Sequence, residues 1–175
     1  MLRESSALTD EDRRLCGIIY REAHRLNNLV SDMVDLSKPR PPRAETVDAA
    51  AVAQEVVALA ARTERSGAGD VTVTYDGPGH AVPARCDGAQ LRQVLWNLVR
   101  NAVQVSGAGR VVRVKVEATD GGVDVLVQDE GPGIPAEERE RVFDAFYTRR
   151  THGTGIGLAV VKRIIDDHGP EGAAI

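Results

Sequence analysis

Two asparagines are the first residues of this sequence whose type and spacing suggest a chemical role. Asn97 and Asn101 stand four residues apart, so on a helix their amide groups share one face. Amide oxygens are hard, neutral ligands of the kind that Mg²⁺ accepts beside water and phosphate oxygens. An isolated asparagine pair is more often simply solvated on a surface helix. The pair therefore indicates a metal site only if other segments supply the rest of a ligand-binding site.

The segment 129–135 (DEGPGIP) is the second candidate, because it directly follows the apolar run 123–127. A carboxylate at the end of a strand, here Asp129, can accept a hydrogen bond from an exocyclic amine such as that of adenine. Gly131 and Gly133 allow positive φ angles and a close approach of a ligand to the backbone. The alternative is an ordinary turn in which Asp129 is only a turn former.

The segment 153–157 (GTGIG) is the third candidate, and it leads into an apolar helical pattern over 158–165. Free N–H groups at a helix N-terminus attract phosphate. A lone glycine loop is a weak signal. No strand runs directly into it, so a dinucleotide-binding turn fits poorly, and it lacks the GK[ST] of a P-loop. Arg149 and Arg150, in the connection between the two glycine segments, could reach phosphates, unless that connection is an ordinary solvated surface segment.

Composition limits the class of protein. The chain has 175 residues, enough for one domain of about 130 residues and an appendage. A net charge of −4 argues against general nucleic-acid binding, which needs a basic face. Cys16 and Cys86 form no CxxC motif, and we expect reduced thiols. No apolar run approaches roughly 18 residues and the N-terminus is charged, so we expect a cytoplasmic location without membrane contact.

The N-terminal region predicts one long helix over residues 10–37, capped at Thr9 or Asp10 and ended by the Pro-rich stretch from Pro39. Its heptad seam alternates spacings of four and three and has Glu22 as its polar member: Leu15, Ile19, Glu22, Leu26, Leu29, Met33 and Leu36. The helix could pack on its own domain. We favour pairing with another helix, because a helix that ends in a proline-rich linker is badly placed to fold back.

The rest of the chain predicts a mixed α/β fold. We expect helices over 47–61, 136–143 and 157–168, and strands over 71–75, 81–85, 112–116 and 123–127, the last two antiparallel. Asp87 and Gln90 predict a capping box at the start of a further helix. The buried stripe expected on that helix is Leu91, Val94, Leu95, Leu98 and Ala102. Such a mixture favours a two-layer α/β sandwich.

Taken together, these segments resemble the sensor histidine kinases of two-component signalling and, more broadly, the GHKL ATP-binding fold shared with gyrase, Hsp90 and MutL. LRQVLWNLVRNAVQ is similar to the N box, VQDEGPGIP to the G1 box, VFDAFYT to the F box and HGTGIGLAVVKRI to the G2 box. The resemblance covers about residues 10–168. It implies a GHKL-type sandwich preceded by a coiled-coil-like helix, with ATP and Mg²⁺ as ligands.

The resemblance also implies a set of site residues. Asn101 is the expected Mg²⁺ ligand and Asn97 a second candidate, and His152 is expected on the phosphate side or in positioning a lid. In the ATP-hydrolysing relatives a Glu stands at the place of Asn97, and an amide cannot act as a general base. The expected ATP-binding residues are Asn97, Asn101, Asp129, Gly131, Gly133, Ile134, Arg149, Arg150, His152, Gly153, Thr154, Gly155, Gly157 and Leu158.

By the same resemblance, residues 1–38 are the second helix of a dimerisation and histidine-phosphotransfer hairpin, 39–46 a linker, and 47–175 the ATP-binding domain, truncated at its C-terminal strands. The partners implied are ATP, a second copy through the N-terminal helix, and a response-regulator receiver domain. None of His24, His80, His152 and His168 matches the phospho-acceptor motif, and we expect His80 and His168 in loops. We therefore expect no autophosphorylation by this chain alone. The alternatives are a non-catalytic dimerisation or regulatory fragment and an anti-sigma-type Ser/Thr kinase.

Overall fold

A computed structural model describes residues 9–37, 41–65, 71–150 and 153–169. The linker positions 38–40, His152 and the C-terminal residues 170–175 lie outside the described residues. The helices are α1 (Asp10–Ser37), α2 (Ala49–Arg65), α3 (Gly88–Val105) and α4 (Gly157–His168). The strands are β1 (Glu45–Asp48), β2 (Thr72–Asp76), β3 (Pro83–Cys86), β4 (Val111–Thr119) and β5 (Gly122–Gln128). The predicted α/β class is confirmed.

The main sheet has the order β2-β4-β5, with β2 parallel and β5 antiparallel to the central strand β4. Alternate side chains of β4 point to one face, as the period of a strand requires. Val112, Val114 and Val116 are fully buried there and pack with apolar residues of α2 and α3. A second, two-stranded antiparallel sheet joins β1 to β3.

Helix α3 lies between two apolar clusters. Leu95, Val99 and Ala102 pack into the cluster over the sheet. Val94 instead packs with α4, in a second cluster that also contains Ile156, Val160, Val161 and Ile164. Two of the residues expected in its buried stripe, Leu91 and Leu98, are only half-buried. Because α3 contacts both the sheet and α4, it fixes the position of the α4 N-terminus.

Helix α1 keeps most of its predicted seam exposed. Leu15, Ile19, Leu26 and Met33 are each half or more exposed. Leu29 packs against the α4 cluster, so α1 also makes a contact within its own chain. Among the described residues, no helix combines the length and apolar composition needed to cross a bilayer.

The bounds of one predicted helix were wrong, and a second predicted helix is absent from the described residues. The helix expected over 47–61 begins only at Ala49, because Val47 and Asp48 belong to β1 and pair with β3. Asp48 then caps α2, since its Oδ1 accepts from the N–H groups of Ala50 at 3.0 Å and Ala51 at 3.3 Å. The helix expected over 136–143 is two separate 3₁₀ turns, Ala136–Glu138 and Arg141–Phe143, neither of which has a buried residue to stabilise a longer helix.

The start of α3 corrects two further predictions. Asp87 is the N-cap, and its Oδ1 accepts from the N–H groups of Ala89 and Gln90 at 2.9 and 3.1 Å. The Asp87 N–H donates to His168 Nε2 at 3.2 Å, not to the side chain of Gln90. His168 is the last residue of α4 and no loop residue. Its Nδ1 lies 2.8 Å from Ile164 O, so the neutral ring with the proton on Nδ1 satisfies both contacts.

Replacing Asp87 by Ala is expected to lower the free energy of unfolding by about 1 kcal/mol at pH 7. Backbone N–H groups, with that of Arg43 as the largest cause, hold the pKa of Asp87 below its usual value. A lowered folded-state pKa stabilises above the unfolded pKa of about 3.9, and this stabilisation is lost as the pH falls through the folded pKa. Urea unfolding at pH 7 and near pH 3 measures the difference.

In this experiment Asp87→Asn is the matched control, because Asn caps a helix nearly as well as Asp. It should cost less than Asp87→Ala at pH 7. A difference between wild type and Asp87→Ala that stays the same at both pH values would contradict the assignment of the cap to the ionised carboxylate.

Candidate nucleotide-binding site

A cleft of about 690 Å³ lies where α3, the two glycine-rich segments and the intervening connection meet. This volume is within the usual range for small-molecule sites, roughly 300–1,000 Å³. It is lined by most of the predicted site residues: Asn97, Asn101, Gly133, Ile134, Arg149, Arg150, Gly153, Thr154, Gly155, Gly157 and Leu158. Asp129 and Gly131 do not line the cleft, and His152 is outside the described residues.

The two asparagines face the cleft, and each amide oxygen holds a guanidinium group. Asn97 is only 6% exposed, and its Oδ1 accepts from Arg100 Nη2 at 3.2 Å. Asn101 Oδ1 accepts from Arg150 Nη2 at 3.1 Å. The two asparagines are therefore not simply solvated residues on a surface helix.

Arg150 is a cation in an unfavourable place. Its Nη1 is buried and has no hydrogen-bond partner, and leaving a buried charged donor unpaired costs free energy. Burial first, and then the neighbouring positive charge of Arg100, lower the pKa of Arg150 from its usual value. An anion bound in the cleft would relieve both the repulsion and the missing hydrogen bond.

The glycine segment 153–157 lies against the backbone of the F-box residues. Gly155 has a φ of +66°, and a Cβ there would lie 2.5 Å from Phe146 C and 2.7 Å from Tyr147 O. The Phe146 N–H donates to Gly155 O at 2.9 Å. Only glycine satisfies both the positive φ and this approach.

The N-terminus of α4 opens beside the asparagine pair. A Cβ at Gly157 would lie 3.4 Å from Asn97 Oδ1. No side chain caps this end, whose N-cap position is Ile156. Uncapped N–H groups and the helix dipole favour a bound anion. The helix end, the two arginines and the two amides therefore form one site suited to phosphate.

Asp129 is not among the residues that line the cleft, but its neighbour Gly131 packs beside one that does. Asp129 Oδ1 accepts from the Gly131 N–H at 2.8 Å, and Asp129 is exposed. Gly131 is held against α3, because a Cβ there would lie 3.0 Å from Val105 Cγ2, and Val105 lines the cleft. The contact of Asp129 with a base stays a prediction.

The connection between the glycine segments is held by side-chain contacts within it. Arg149 Nη1 lies 3.1 Å from Glu138 Oε1, and the Glu138 side chain is only 16% exposed. The Arg141 guanidinium lies over the ring of Tyr147, 4.7 Å from its centre. Arg149 thus has a carboxylate partner, whereas Arg150 hydrogen-bonds to an amide.

The sequence predictions missed several residues that line the cleft, among them Arg100, Tyr20 and Glu22. Arg100 stands three residues after Asn97, and this spacing already placed both on one helix face. Tyr20 and Glu22 of α1 line the cleft as well. Glu22 had one signal, since it is the polar member of an otherwise apolar seam, whereas the approach of α1 to the cleft depends on tertiary packing.

Comparison with known proteins identifies the family whose members share the segments that form this cleft. The model of the family described as histidine kinase-, DNA gyrase B- and HSP90-like ATPase matches residues 86–174. The sensor histidine kinase ZraS of Klebsiella oxytoca is 36% identical over 171 residues, which are 95% of this chain and 36% of that protein. The chain spans about a third of the length of the first curated relatives that it matches.

Solved structures agree with the family match. Full-length ShkA in complex with AMPPNP has a TM-score of 0.69 at 29% identity, over 95% of this chain and 36% of that one. The histidine kinase ThkA in complex with the response regulator TrrA has a TM-score of 0.72 at 27% identity, over 96% and 47%. The residues matched by the family model include both asparagines, the acid–glycine turn and the glycine loop. The chain therefore belongs to the family of histidine kinase-, DNA gyrase B- and HSP90-like ATPases.

Proposed function

We propose that this chain is the ATP-binding catalytic region of a two-component sensor histidine kinase. It would transfer the γ-phosphate of ATP to a histidine outside these 175 residues, for relay to an aspartate of a response-regulator receiver domain. The observation that carries the proposal is the convergence of both asparagines, Arg150 and the uncapped α4 N-terminus on one cleft. The likeness to ZraS and to the ThkA complex favours a histidine kinase over an anti-sigma-type Ser/Thr kinase.

The cleft residues fit a nucleotide and its metal ion. The orphaned Nη1 of Arg150 offers a donor for a phosphate oxygen, and the backbone of Gly153, Gly155 and Gly157 lines the cleft. Asn101 would hold Mg²⁺ through its amide oxygen, with Asn97 as the second candidate. When bound, the ion neutralises charge on the phosphates. Asp129 would accept from the adenine amine.

Asn97 supports a kinase over a hydrolase. Its amide cannot remove a proton from water, and its oxygen already accepts from Arg100. The nearby carboxylate of Glu138 is paired with Arg149. With no base required, the residues of the cleft would orient the phosphate chain and stabilise its charge, which is the main demand of phosphoryl transfer.

The exposed seam of α1 supports pairing with a second copy of the chain. The seam residue Ile19, which is 67% exposed, would then lie in a bundle with other helices. Residues 1–38 would form this dimerisation element. The pairing of β1 with β3 supports starting the nucleotide domain at Glu45, two residues before the predicted boundary. A cytoplasmic location, where ATP is available, belongs to the same proposal.

Incubation with labelled ATP, Mg²⁺ and a panel of separate dimerisation hairpins tests transfer in trans. We expect label on the hairpin as phosphohistidine, which is labile in acid and stable in base. Asn101→Ala should abolish the label, and Gln128→Ala, at the end of β5, should keep it. Label on Ser or Thr, which is acid-stable, would favour the Ser/Thr kinase. ATP binding without label on any hairpin would favour the non-catalytic fragment.

A further inference from the structure

The oxygen proposed to bind the metal is already engaged by a cation. Arg150 Nη2 donates to Asn101 Oδ1 at 3.1 Å. A divalent ion on the same oxygen would lie within a few ångströms of this guanidinium. At such distances in a half-buried site, like charges repel by several times the thermal energy. Arg150 and a metal ion therefore exclude each other at Asn101.

The contact of the Arg150 guanidinium with Asn101 is energetically unfavourable in two respects. The Nη1 of Arg150 is buried without a partner, and the like charge of Arg100 is near enough to oppose its ionised form. The backbone of Arg150 is fixed by a bond from its N–H to Thr148 Oγ1 at 3.1 Å. Only the side chain needs to move for Arg150 to exchange Asn101 for an anion in the cleft.

We propose that Arg150 is a phosphate-sensing residue that blocks the metal-binding oxygen of Asn101 until a nucleotide arrives. The phosphate chain gives the guanidinium an anionic partner, and the guanidinium then leaves Asn101 Oδ1 open to the metal. Binding of the metal is thereby conditional on the phosphate chain. This inference rests on the proposed function and adds a positioning residue that couples the two ligands.

Two binding measurements on Arg150→Ala test the coupling, with Mn²⁺ as the probe metal and AMPPNP as the probe nucleotide. Mn²⁺ alone, followed by electron paramagnetic resonance, should bind the variant about tenfold or more tighter than wild type, because the blocking charge is gone. AMPPNP with a chelator present, followed by calorimetry, should bind the variant about tenfold or more weaker, because a charged phosphate donor is gone. The two affinities move in opposite directions.

Two further variants serve as controls for these binding measurements. Arg92→Ala removes an exposed positive charge from the same helix as the asparagines, where Arg92 pairs with Glu55 at 2.6 Å, and should change neither affinity. Adding Asn101→Ala to Arg150→Ala should abolish the gain in Mn²⁺ binding. Circular dichroism checks that each variant is folded.

The outcomes separate this inference from the proposed function. If wild type binds AMPPNP but Arg150→Ala changes both affinities in the same direction, or neither, the inference is overturned and the proposed function stands. If wild type binds no AMPPNP even with Mg²⁺ present, the proposed function fails first.

Discussion

Replacing Gly155 by Ala is expected to abolish nucleotide binding and to lower the free energy of unfolding by about 3 kcal/mol. A left-handed φ of +66° costs a residue with a Cβ about 1–2 kcal/mol. The new Cβ would also collide with backbone atoms of Phe146 and Tyr147, and overpacking adds about 1–3 kcal/mol. Because this backbone carries the phosphate-facing loop, its displacement removes the site. Urea unfolding and calorimetry with ATP measure the two effects.

Substitutions at two other glycines distinguish the cost of a positive φ angle from the cost of a steric clash. Gly133 has a φ of +74° but open space around its Cβ position, so Gly133→Ala should lose only about 1 kcal/mol of unfolding free energy. Gly121 has open space and no positive φ, and Gly121→Ala should stay within about 0.5 kcal/mol of wild type. If Gly155→Ala is as stable as Gly121→Ala, the backbone of Gly155 does not lie as close to that of Phe146 and Tyr147 as the structure shows.

The second large effect is expected for Asp129→Asn, which should weaken ATP binding by about 10- to 100-fold. The proposed bond from the adenine amine to a carboxylate is charge-assisted, and such bonds contribute about 1.5–3 kcal/mol. Asn retains an oxygen that can accept from the Gly131 N–H, as Asp129 does at 2.8 Å, so the stability of the fold should change little. Calorimetry with ATP gives the affinity.

Asp124→Asn is the matched control for this change. Asp124 is exposed on β5, the strand that ends directly before Asp129, and its replacement alters the net charge by the same amount. We expect Asp124→Asn to bind ATP like wild type. Equal dissociation constants for the two variants would show that Asp129 does not read the base.

The fold was predictable where patterns are local. The alternation of Val112, Val114 and Val116 identifies β4, and α4 begins and ends at the predicted residues. The misses depend on contacts between distant residues. β1 is only four residues long and pairs with β3 about forty residues later, and the Asp87 N–H bonds to His168, 81 residues away.

The candidate site follows the same rule. Spacing alone brought Asn97, Asn101 and the glycine loop into one hypothesis, and the structure brings them to one cleft. The contact between Arg150 and Asn101 was not predictable, because 49 residues of sequence separate the two. The approach of α1 depends likewise on the packing of Leu29 against α4.

A calorimetric titration of the wild-type chain with Mg-ATP tests the central claim most directly, since every proposed step begins with ATP in this cleft. We predict saturable binding of one ATP per chain that ADP displaces, that GTP does not displace, and that Asn101→Ala weakens. The absence of binding heat at millimolar ATP, in protein that circular dichroism shows to be folded, would contradict the claim.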